Sequence, residues 1–434
     1  MLLILGCGES GFGAALLAHK QKLPVFVSDQ TIIKDDFKQM FIDLEIDFEE
    51  GGHEIAYDIL PTLVIKSPGI PDNAKIIKHF AEKNIELISE IEFAYRYCKG
   101  KIIAITGSNG KTTTTNLCYH MLHTNGYHVA KVGNVGYSFA RSLALTDHDY
   151  YVLELSSFQL DTISEFRPDV AIIINITPDH LDRYDYIFEN YIKSKFRITL
   201  NQKSEDLLIL NSNDQTIRKY LGIVPFSAKV DWLEVRLNEV EDVIVNNERL
   251  FSLKNSGLKG NHNALNAGCA ARAAHFMGLG YKEIQKSIDS FVNDPHRLEL
   301  VETLNGVSYI NDSKATNVDS VYWALDAMKG KVIWIAGGQD KGNDYSQLQS
   351  LVKSKVKALV ALGVDNGKLL EAFSELVPVF DTHDMASAVA QSKKLAEDGD
   401  AVLLSPACAS FDLFNNYMQR GDLFKEEVLK MKLI

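Results

Sequence analysis

The stretch Ala104-Ile-Thr-Gly-Ser-Asn-Gly-Lys-Thr-Thr113 decides how the rest of this 434-residue chain is interpreted. It follows the apolar run 102–105 and precedes a segment typical of a helix, from Thr114 to His123. Strand, glycine turn and helix together bind phosphate, because backbone N–H groups and the positive end of the helix dipole converge on phosphate oxygens. The residues that we predict to bind a nucleotide phosphate are Gly107, Ser108, Asn109, Gly110, Lys111, Thr112 and Thr113.

Two side chains in this loop point to nucleoside triphosphate chemistry. Lys111 is placed to reach the β- and γ-phosphate oxygens, and Thr112 offers a hydroxyl to Mg²⁺. The match is to a shortened form of the phosphate-loop pattern, since the full pattern has glycine where this chain has Ile105. A simple strand-to-helix turn would explain Gly107 and Gly110, but not the lysine and threonine directly behind them.

Length and composition narrow the class of protein. The chain is 46% apolar and 24% charged, and its length predicts about three domains. A net charge of -12 argues against a nucleic-acid partner. No apolar run approaches the roughly 20 residues of a membrane span, and the N-terminus lacks the basic region of a signal peptide, so we expect a cytoplasmic protein without membrane insertion. Five cysteines without a CxxC pair suggest neither a disulfide framework nor a zinc site.

Residues 1–90 alternate between strand and helix in a Rossmann-like pattern, with strands predicted at 2–5, 24–28 and 62–66 and a helix at 13–20. The first turn, Gly6-Cys-Gly-Glu-Ser-Gly11, is a G-x-G-x-x-G sequence, and Asp29 closes the second strand where a ribose-binding acid would lie. Such a loop serves a nicotinamide cofactor or another nucleotide diphosphate, and the residues alone leave both open. The turn Ser67-Pro-Gly-Ile-Pro71 is either a second ligand loop or a plain turn.

Residues 91–293 continue the α/β pattern around the phosphate loop. Tyr150–Leu155 reads as a buried strand, and Glu154 near its carboxyl end is a candidate Mg²⁺ ligand or else a salt-bridged surface acid. The next strand, 170–174, leads into Asn175-Ile-Thr-Pro-Asp-His-Leu-Asp182. Because ligands bind at the carboxyl ends of such strands, Asp179, His180 and Asp182 lie at the correct sheet edge, with a solvated turn as the alternative.

Two helices after this edge carry polar side chains. The amphipathic segment 191–197 predicts that Lys193 and Lys195 lie on a solvated face. Asn263 and Asn266, three residues apart at the start of an alanine-rich helix predicted from 267 to 277, share a helix face. Their amides either contact a purine edge or cap the helix.

Residues 294–434 form a third α/β unit with its own alternation. Strands are predicted at 307–310, 332–335, 358–362 and 401–404, with helices at 320–328 and 345–352. Polar turns follow three of these strands, at 311–317, 337–342 and 405–410, and they predict a ligand-binding edge on one sheet.

Motifs in all three units together resemble the Mur ligase family. They are Thr106-Gly-Ser-Asn-Gly-Lys-Thr112, Glu154-Leu-Ser-Ser-Phe-Gln-Leu160, Asn175-Ile-Thr-Pro-Asp-His-Leu-Asp182, His262-Asn-Ala-Leu-Asn266, His296-Arg297, Asn311-Asp-Ser-Lys-Ala-Thr-Asn317 and Ser405-Pro-Ala-Cys-Ala-Ser410. The phosphate loop, His-Asn-x-x-Asn and His-Arg are shared with folylpolyglutamate synthases. The last two motifs resemble those of the D-glutamate-adding members.

The resemblance implies an α/β protein of three domains that adds D-glutamate to the L-alanine carboxyl of a UDP-muramic acid precursor of peptidoglycan, using ATP and Mg²⁺. Residues 1–90 would be a Rossmann-like domain binding the UDP precursor, and 91–293 a P-loop ATP-binding domain with a mostly parallel sheet. Residues 294–434 would be a Rossmann-like domain that binds the amino acid and closes on ATP. The implied partners are small molecules only, and the implied state is a monomer.

The resemblance also assigns roles to residues that match the motifs. It implies that Lys195 is carbamylated and that Thr112, Glu154, His180 and Lys195 form the metal site, with Lys111, His180, Lys195 and Arg297 in catalysis. It adds Asn263, Asn266, Arg297 and Asp312 to the ATP contacts. The implied UDP-precursor contacts are Gly6, Glu9, Ser10, Asp29, Ser67, Gly69, Asn134 and Ser156, and the implied D-glutamate contacts are Thr316, Lys341, Ser410 and Tyr417.

Two other functions stay open at this point. An ATP ligase acting on a folate would share the phosphate loop, and turnover of folate precursors would reveal it. A nucleotide-dependent regulator or NAD-binding module has only Gly6–Gly11 in its favour, and titration with NAD(H) and UDP would separate these readings.

Overall fold

The structure is a computed structural model that describes residues 1–433, so Ile434, the last residue of the predicted C-terminal domain, lies outside it. By its internal contacts the chain divides into two compact units. The first unit contains Met1–Lys254 and Leu265–Phe291, and the second contains Asn255–Ala264 and the chain from Val292 onward. The three-domain division at 90 and 293 stays a prediction.

The first sheet, in the first unit, consists of five parallel strands in the order β3-β2-β1-β4-β5. Its central strand is buried along its whole length, as expected for a parallel strand covered on both faces. The strands are β1 (Leu2–Leu5), β2 (Val25–Asp29), β3 (Asp47–Glu50), β4 (Leu63–Lys66) and β5 (Leu87–Ser89). The helices are α1 (Glu9–Lys20), α2 (Asp35–Asp43), α3 (Glu54–Asp58), α4 (Lys75–Glu82) and α5 (Glu90–Tyr95).

The second sheet of this unit has six parallel strands in the order β11-β10-β9-β6-β8-β7, and it places the phosphate loop on a central strand, β6. The strands are β6 (Lys101–Thr106), β7 (Val129–Gly133), β8 (Tyr150–Glu154), β9 (Val170–Ile173), β10 (Leu207–Asn211) and β11 (Lys229–Leu233). The helices are α6 (Lys111–Thr124), α7 (Phe139–Leu145), α8 (Ser157–Leu160), α9 (Phe188–Phe196) and α10 (Gln215–Tyr220), with short 3-10 turns at Leu181–Arg183 and Arg197–Thr199.

Helices α1, α5 and α7 pack against one another between these two sheets, and one continuous apolar core includes side chains from both. An antiparallel sheet follows, in the order β12-β13-β14. Its strands are β12 (Val235–Leu237), β13 (Asp242–Val245) and β14 (Glu248–Ser252), and the next helices are α11 (Asn261–Phe276) and α12 (Tyr281–Asp289). The first residues of α11 belong to the second unit and the rest to the first.

The second unit is built on a six-stranded sheet in the order β15-β16-β20-β17-β18-β19, with apolar clusters on both faces. Among the described strands of this sheet, the edge strand β15 pairs antiparallel and the others pair parallel. The strands are β15 (Glu299–Leu304), β16 (Val307–Asn311), β17 (Val332–Gly337), β18 (Val356–Leu362), β19 (Val379–Thr382) and β20 (Ala401–Ala407). The helices are α13 (Val318–Ala327), α14 (Gln349–Lys355), α15 (Gly367–Phe373), α16 (Met385–Leu395) and α17 (Tyr417–Lys430), with 3-10 turns at Tyr345–Leu348 and Met431–Leu433.

The α/β class with mostly parallel sheets is confirmed, and several helix boundaries are corrected. Helix α1 begins at Glu9 rather than at residue 13, and the helix predicted at 345–352 is the 3-10 turn Tyr345–Leu348 followed by α14, Gln349–Lys355. Helix α6 begins at Lys111 rather than Thr114, so Thr112 and Thr113 lie in its first turn. Helix α11 begins at Asn261 rather than Ala267, which places Asn263 and Asn266 inside it. Within the part of the chain that the structure describes, every helix is too short or too polar to cross a membrane.

Candidate active site

The phosphate loop connects β6 to α6 through two glycines that other residues would not replace. Gly107 has a φ of 155° and Gly110, at the helix N-cap, a φ of 83°. A Cβ atom at Gly110 would lie 2.3 Å from the Oδ1 atom of Asn266, so the close approach of α11 also requires glycine. The loop therefore has one backbone conformation, with the N-terminus of α6 directly behind it.

The neighbouring strand β9 fixes this conformation through Asn175, which follows it. Asn109 donates its backbone N–H to Asn175 Oδ1 at 2.8 Å, and Asn175 Nδ2 donates to the Asn109 carbonyl at 3.1 Å. Ser108 donates its backbone N–H to the Asn175 carbonyl at 3.0 Å and its hydroxyl to the Thr177 carbonyl at 2.8 Å. Asn175 is a loop-supporting residue that the sequence reasoning quoted in a motif without giving it a role.

Two lysine ammonium groups converge on one carbonyl of the loop. Lys111 Nζ lies 2.8 Å from the Gly107 oxygen and 2.9 Å from the Ser108 oxygen. Lys195 Nζ also lies 2.8 Å from the Gly107 oxygen. Two positive charges at one carbonyl repel each other, so the arrangement favours loss of a proton from one amine or the arrival of an anion.

The environment of Lys195 contradicts the expectation that it lies on a solvated face. Its side chain is 1% exposed, whereas Lys193 is exposed and pairs with Glu189 at 3.0 Å. The face of α9 that carries Lys195 packs against the phosphate loop, a tertiary contact that helical periodicity does not reveal. Burial, followed by the charge of Lys111, holds the pKa of Lys195 well below its usual value.

Tyr191, one turn before Lys195, is a second buried residue on this face. Its hydroxyl lies 3.1 Å from Ser108 Oγ, and Lys195 Nζ lies 4.6 Å from the centre of its ring. Burial raises the pKa of the Tyr191 phenol far above its ordinary range, so the hydroxyl remains protonated. Tyr191 thus orients both the loop serine and the buried lysine, and sequence reasoning did not single it out.

Glu154 ends strand β8 with a carboxylate that is only partly satisfied. The residue is 2% exposed, and its Oε1 atom accepts a hydrogen bond from Asn134 Nδ2 at 2.8 Å. Its Oε2 atom is buried and has no hydrogen-bond partner within residues 1–433. A buried carboxylate oxygen of this kind is costly unless it meets a cation, so Glu154 fits the role of a Mg²⁺ ligand.

The remaining metal-site residues are less closely grouped. Thr112 is buried in the first turn of α6. His180 is exposed, has a left-handed φ of 52°, and its Nε2 atom lies 3.6 Å from Asp179 Oδ2. In the described residues no cluster of three or more His, Cys, Asp or Glu side chains is arranged around a metal position. Among the described residues, His180 contacts Asp179 and Glu154 bonds Asn134, and no hydrogen bond or ion pair joins His180 to Glu154.

A cavity of about 860 Å³ lies at the carboxyl edge of the first sheet. Six of the eight predicted UDP-precursor contacts line it: Gly6, Glu9, Ser10, Asp29, Ser67 and Gly69. Asn134 and Ser156 are not in its lining, and the Ser156 side chain caps α8 in a capping box with Gln159. The predicted ligand edge of this sheet is thus an open cavity.

Two acids in this cavity already have protein partners. Asp29 accepts hydrogen bonds from the backbone N–H groups of Cys7 and Thr31. Glu9 accepts from the Ser138 backbone at 3.1 Å and pairs with Arg141 at 2.8 Å. Both carboxylates therefore stabilise the residues that line the cavity. The groups left to bind a ligand are the backbone and hydroxyl groups of the loops.

In the second unit, the half-buried Arg297 and His262 and the buried Asp312 form a polar group. Arg297 Nε and His262 Nδ1 are buried without a hydrogen-bond partner among the described residues. Burial, and then the charge of Arg297, lowers the pKa of His262 to about 4. Asp312 accepts from Ser405 Oγ at 2.9 Å, and burial raises its pKa to about 7. Unsatisfied donors beside a carboxyl are suited to a polar ligand such as a ribose or a base.

The four predicted D-glutamate contacts all lie in loops or at a helix start of the second unit. Ser410 is 2% exposed, whereas Thr316 and Lys341 are exposed. Tyr417 is the first residue of α17. Asp340, next to Lys341, accepts hydrogen bonds from Lys368 and Tyr345, which fixes the base of that loop.

Comparison with known proteins gives matches over nearly the whole chain. Residues 105–274 match the Mur ligase middle domain, and residues 296–408 match the Mur ligase glutamate ligase domain. The UDP-N-acetylmuramoylalanine–D-glutamate ligase of Porphyromonas gingivalis is 47% identical over 448 residues, which cover 99% of this chain and 98% of the relative. The ligase of the same name from Christiangramia forsetii is 47% identical over 438 residues, which cover 98% of both chains.

Among solved structures, a MurF ligase from Thermotoga maritima in complex with ADP superposes with a TM-score of 0.62 at 16% identity, covering 96% of this chain and 99% of that one. At this level of identity the superposition shows a shared fold.

Proposed function

The chain belongs to the Mur ligase family, and on that premise we propose which of its residues carry out the reaction. Its full-length relatives identify it as an ATP-dependent ligase of peptidoglycan precursor synthesis that joins D-glutamate to UDP-N-acetylmuramoyl-L-alanine. The observation that carries the assignment of residues is the phosphate loop, with Lys111 and Lys195 both at the Gly107 carbonyl.

The reaction requires activation of an acid before an amine can attack it. An oxygen of the L-alanine carboxylate attacks the γ-phosphorus of ATP, so that ADP leaves and an acyl phosphate forms. The D-glutamate amine, having lost a proton, then attacks the acyl carbon, and phosphate leaves as the amide forms. Both steps gather negative charge, which the enzyme must position and stabilise.

Lys111 is the cation that we assign to the transferring phosphoryl group. Its ammonium donates hydrogen bonds to the carbonyls of Gly107 and Ser108, next to the N-terminus of α6. The backbone N–H groups of the loop and this ammonium together form an anion site on the central strand of the second sheet. Thr113 lies in the first turn of α6, and Asn266 on α11 approaches Gly110 closely, so both support the loop from behind.

Glu154 and Thr112 are the residues that we assign to Mg²⁺. The partnerless Oε2 atom of Glu154 supports the assignment, since Mg²⁺ prefers oxygen ligands and is held by few protein groups plus phosphates and water. When bound, the ion neutralises the charge that develops on the phosphates. Asn134 orients the Glu154 carboxylate through the hydrogen bond to Oε1. His180 remains a predicted member of this site.

Lys195 is proposed to carry a carbamate. An amine reacts with carbon dioxide only when it is neutral, and burial beside Lys111 favours the neutral form of Lys195. A carbamate would replace one of two repelling cations at the Gly107 carbonyl by an anion with oxygen ligands. That exchange suits a site that must hold both Lys111 and a hard metal ion.

The remaining ligand contacts are assigned separately for the first and the second unit. We propose that residues 1–90 bind the UDP portion of the precursor in the 860 Å³ cavity. In the second unit, Asn263, Arg297 and Asp312 are assigned to ATP, where the unsatisfied Arg297 Nε supports the proposal. Thr316, Lys341, Ser410 and Tyr417 are assigned to D-glutamate, and we propose that the enzyme acts as a monomer in the cytoplasm, where ATP is made.

A coupled assay tests the proposal. Release of ADP should require both UDP-N-acetylmuramoyl-L-alanine and D-glutamate, and mass spectrometry should find the amide product. ADP release that needs a folate acceptor instead, or that proceeds without D-glutamate, would overturn it.

A further inference from the structure

Arg420, on helix α17, is one of the largest fully buried side chains of the protein. It is 1% exposed, although arginine is among the residues least often buried. Its Nε atom donates to Ser313 Oγ at 3.0 Å and its Nη2 atom to the Ser313 carbonyl at 2.8 Å. Its Nη1 atom donates to the carbonyls of Cys408 at 3.2 Å and Gly337 at 3.4 Å.

These acceptors belong to three different loops, each at the carboxyl end of a strand. Ser313 follows β16, Gly337 ends β17, and Cys408 follows β20. Each loop contains one of the residues assigned above to D-glutamate, namely Thr316, Lys341 and Ser410. A single guanidinium therefore joins all three of the loops that would have to converge on the amino acid.

Two of these loops are also tied directly to each other next to the guanidinium. Gln339 and Ala409 exchange backbone hydrogen bonds at 2.8 and 3.2 Å. A Cβ atom at Gly338 would lie 2.3 Å from the Ala409 carbonyl and 3.3 Å from Arg420 Nη1, and its φ is 125°. The loops are thus packed tightly around Arg420, and a displaced side chain at 420 would move both.

The charge of Arg420 has no carboxylate counterpart at salt-bridge distance within residues 1–433. All four of its hydrogen bonds go to neutral oxygens, and Asp412 acts on it only from further away. Burial lowers the pKa of Arg420 to about 10, so the group stays charged at neutral pH. A buried charge without a partner is costly, and in functional sites that cost is offset when an anion binds.

We propose that Arg420 is a positioning residue for the amino-acid substrate: it locks the three strand-end loops in one arrangement and places a positive charge behind them that favours an acidic amino acid. The inference rests on the proposed function and extends it to the substrate's second carboxylate. Lysine would keep the charge but lose the planar fork that reaches acceptors in three directions.

Steady-state kinetics of Arg420→Met and Arg420→Lys test the inference. We expect Arg420→Met to raise the KM for D-glutamate by about 30-fold or more, with the KM values for ATP and the UDP precursor unchanged. Arg420→Lys should raise it by about tenfold, because the charge remains while the fork is lost. The preference for D-glutamate over D-glutamine, measured as a ratio of kcat/KM, should fall in the Met variant and be partly kept in the Lys variant.

Lys430→Met is the matched control, since Lys430 lies on the same helix, is exposed and pairs with Glu427. It should leave all three KM values as in the wild type. An unchanged KM for D-glutamate in both Arg420 variants, or an equal rise for all three substrates, would overturn the inference. If Arg420→Met does not fold, the KM for D-glutamate of Arg420→Lys alone tests the inference. A wild-type enzyme inactive in the ADP assay would overturn the proposed function instead.

Discussion

At the scale of single residues, Lys195 is a lysine whose surroundings do not suit an ammonium ion. It is buried, it shares the Gly107 carbonyl with Lys111, and its Nζ atom lies over the face of the Tyr191 ring. Burial, and then the charge of Lys111, lowers the pKa of Lys195 well below its ordinary value, which favours the unprotonated amine. That form is the one that reacts with carbon dioxide.

We predict that Lys195 is carbamylated and that Lys195→Ala lowers kcat by about 10²–10³-fold, the range seen when one preorganised charge-stabilising group is lost. Acetate should restore part of the activity by supplying carboxylate oxygens at the vacated position. Carbon-13 NMR of enzyme equilibrated with labelled bicarbonate should show a carbamate signal that the variant lacks. Lys193→Ala, on the exposed side of the same helix, should behave as the wild type. Absence of both the signal and the acetate rescue would refute the prediction.

Lys111 gives a second prediction at this scale. Lys111→Ala should abolish ATP turnover, by roughly 10³-fold or more, because the loop loses the cation that follows charge onto the γ-phosphoryl group. The melting temperature should change little, since the hydrogen bonds that the ammonium donates to the Gly107 and Ser108 carbonyls lie within its own loop. Lys101→Ala, at the exposed start of β6, is the control. Activity close to that of the wild type would remove the phosphate loop from the mechanism.

At the scale of elements, Glu90 joins helix α5 to helix α7 with a carboxyl that is poorly suited to ionisation. Its Oε1 atom accepts from the Ala140 backbone, while Oε2 is buried with no partner among the described residues. Burial is the main reason that its pKa rises from 4.5 to about 8. The folded chain therefore binds a proton that the unfolded chain releases between these values, so stability falls as pH rises from about 4.5 to 8.

Glu90→Gln should remove this dependence, because the amide resembles the protonated acid and does not ionise. We expect the variant to melt about 2–4 °C above the wild type at pH 8 and to differ little at pH 5. Glu92→Gln is the matched control on α5: its carboxylate accepts from the backbone of Ser164 at 2.9 Å and of Phe166 at 3.0 Å, so the change should destabilise at both pH values. The prediction would be contradicted if the difference in melting temperature between the wild type and Glu90→Gln were the same at pH 5 and pH 8.

Elements with a strong apolar pattern were predictable, and elements held by tertiary contacts were not. Strands β1, β6 and β9 match their predicted positions within one residue at each end, because central parallel strands are continuously apolar. Helix α17 was not predicted: its buried residues Arg420, Gly421, Phe424 and Val428 keep helical spacing, but arginine and glycine at the first two positions weaken the apolar pattern. The motif residues of the candidate site could be identified from the sequence. The burial of Lys195 and the hydrogen bonds of Arg420 could not, because their partners lie far away in the chain.

At the scale of the whole molecule, the 860 Å³ cavity that we propose for UDP lies entirely within the first unit. We predict that UDP, at about 100 times its Kd, stabilises that unit by ~2.7 kcal/mol and slows hydrogen exchange in residues 1–90, with peptides of the second unit unchanged. NAD⁺ is the control ligand, because Gly6–Gly11 on its own also fits a dinucleotide. Protection by NAD⁺ with none by UDP would favour the redox interpretation of this loop.

The division of the chain also has a consequence for how the protein is made on the ribosome. Residues 255–264 belong to the second unit, yet more than a hundred residues of that unit are synthesised only after the first unit has been completed at Phe291. Leu258, buried in the finished protein, must wait for its packing partners for roughly 10–30 s at ordinary rates of translation. During that interval Leu258 is exposed to water in the otherwise polar segment 255–264, so this part of the second unit can pack only well after the first unit has been synthesised.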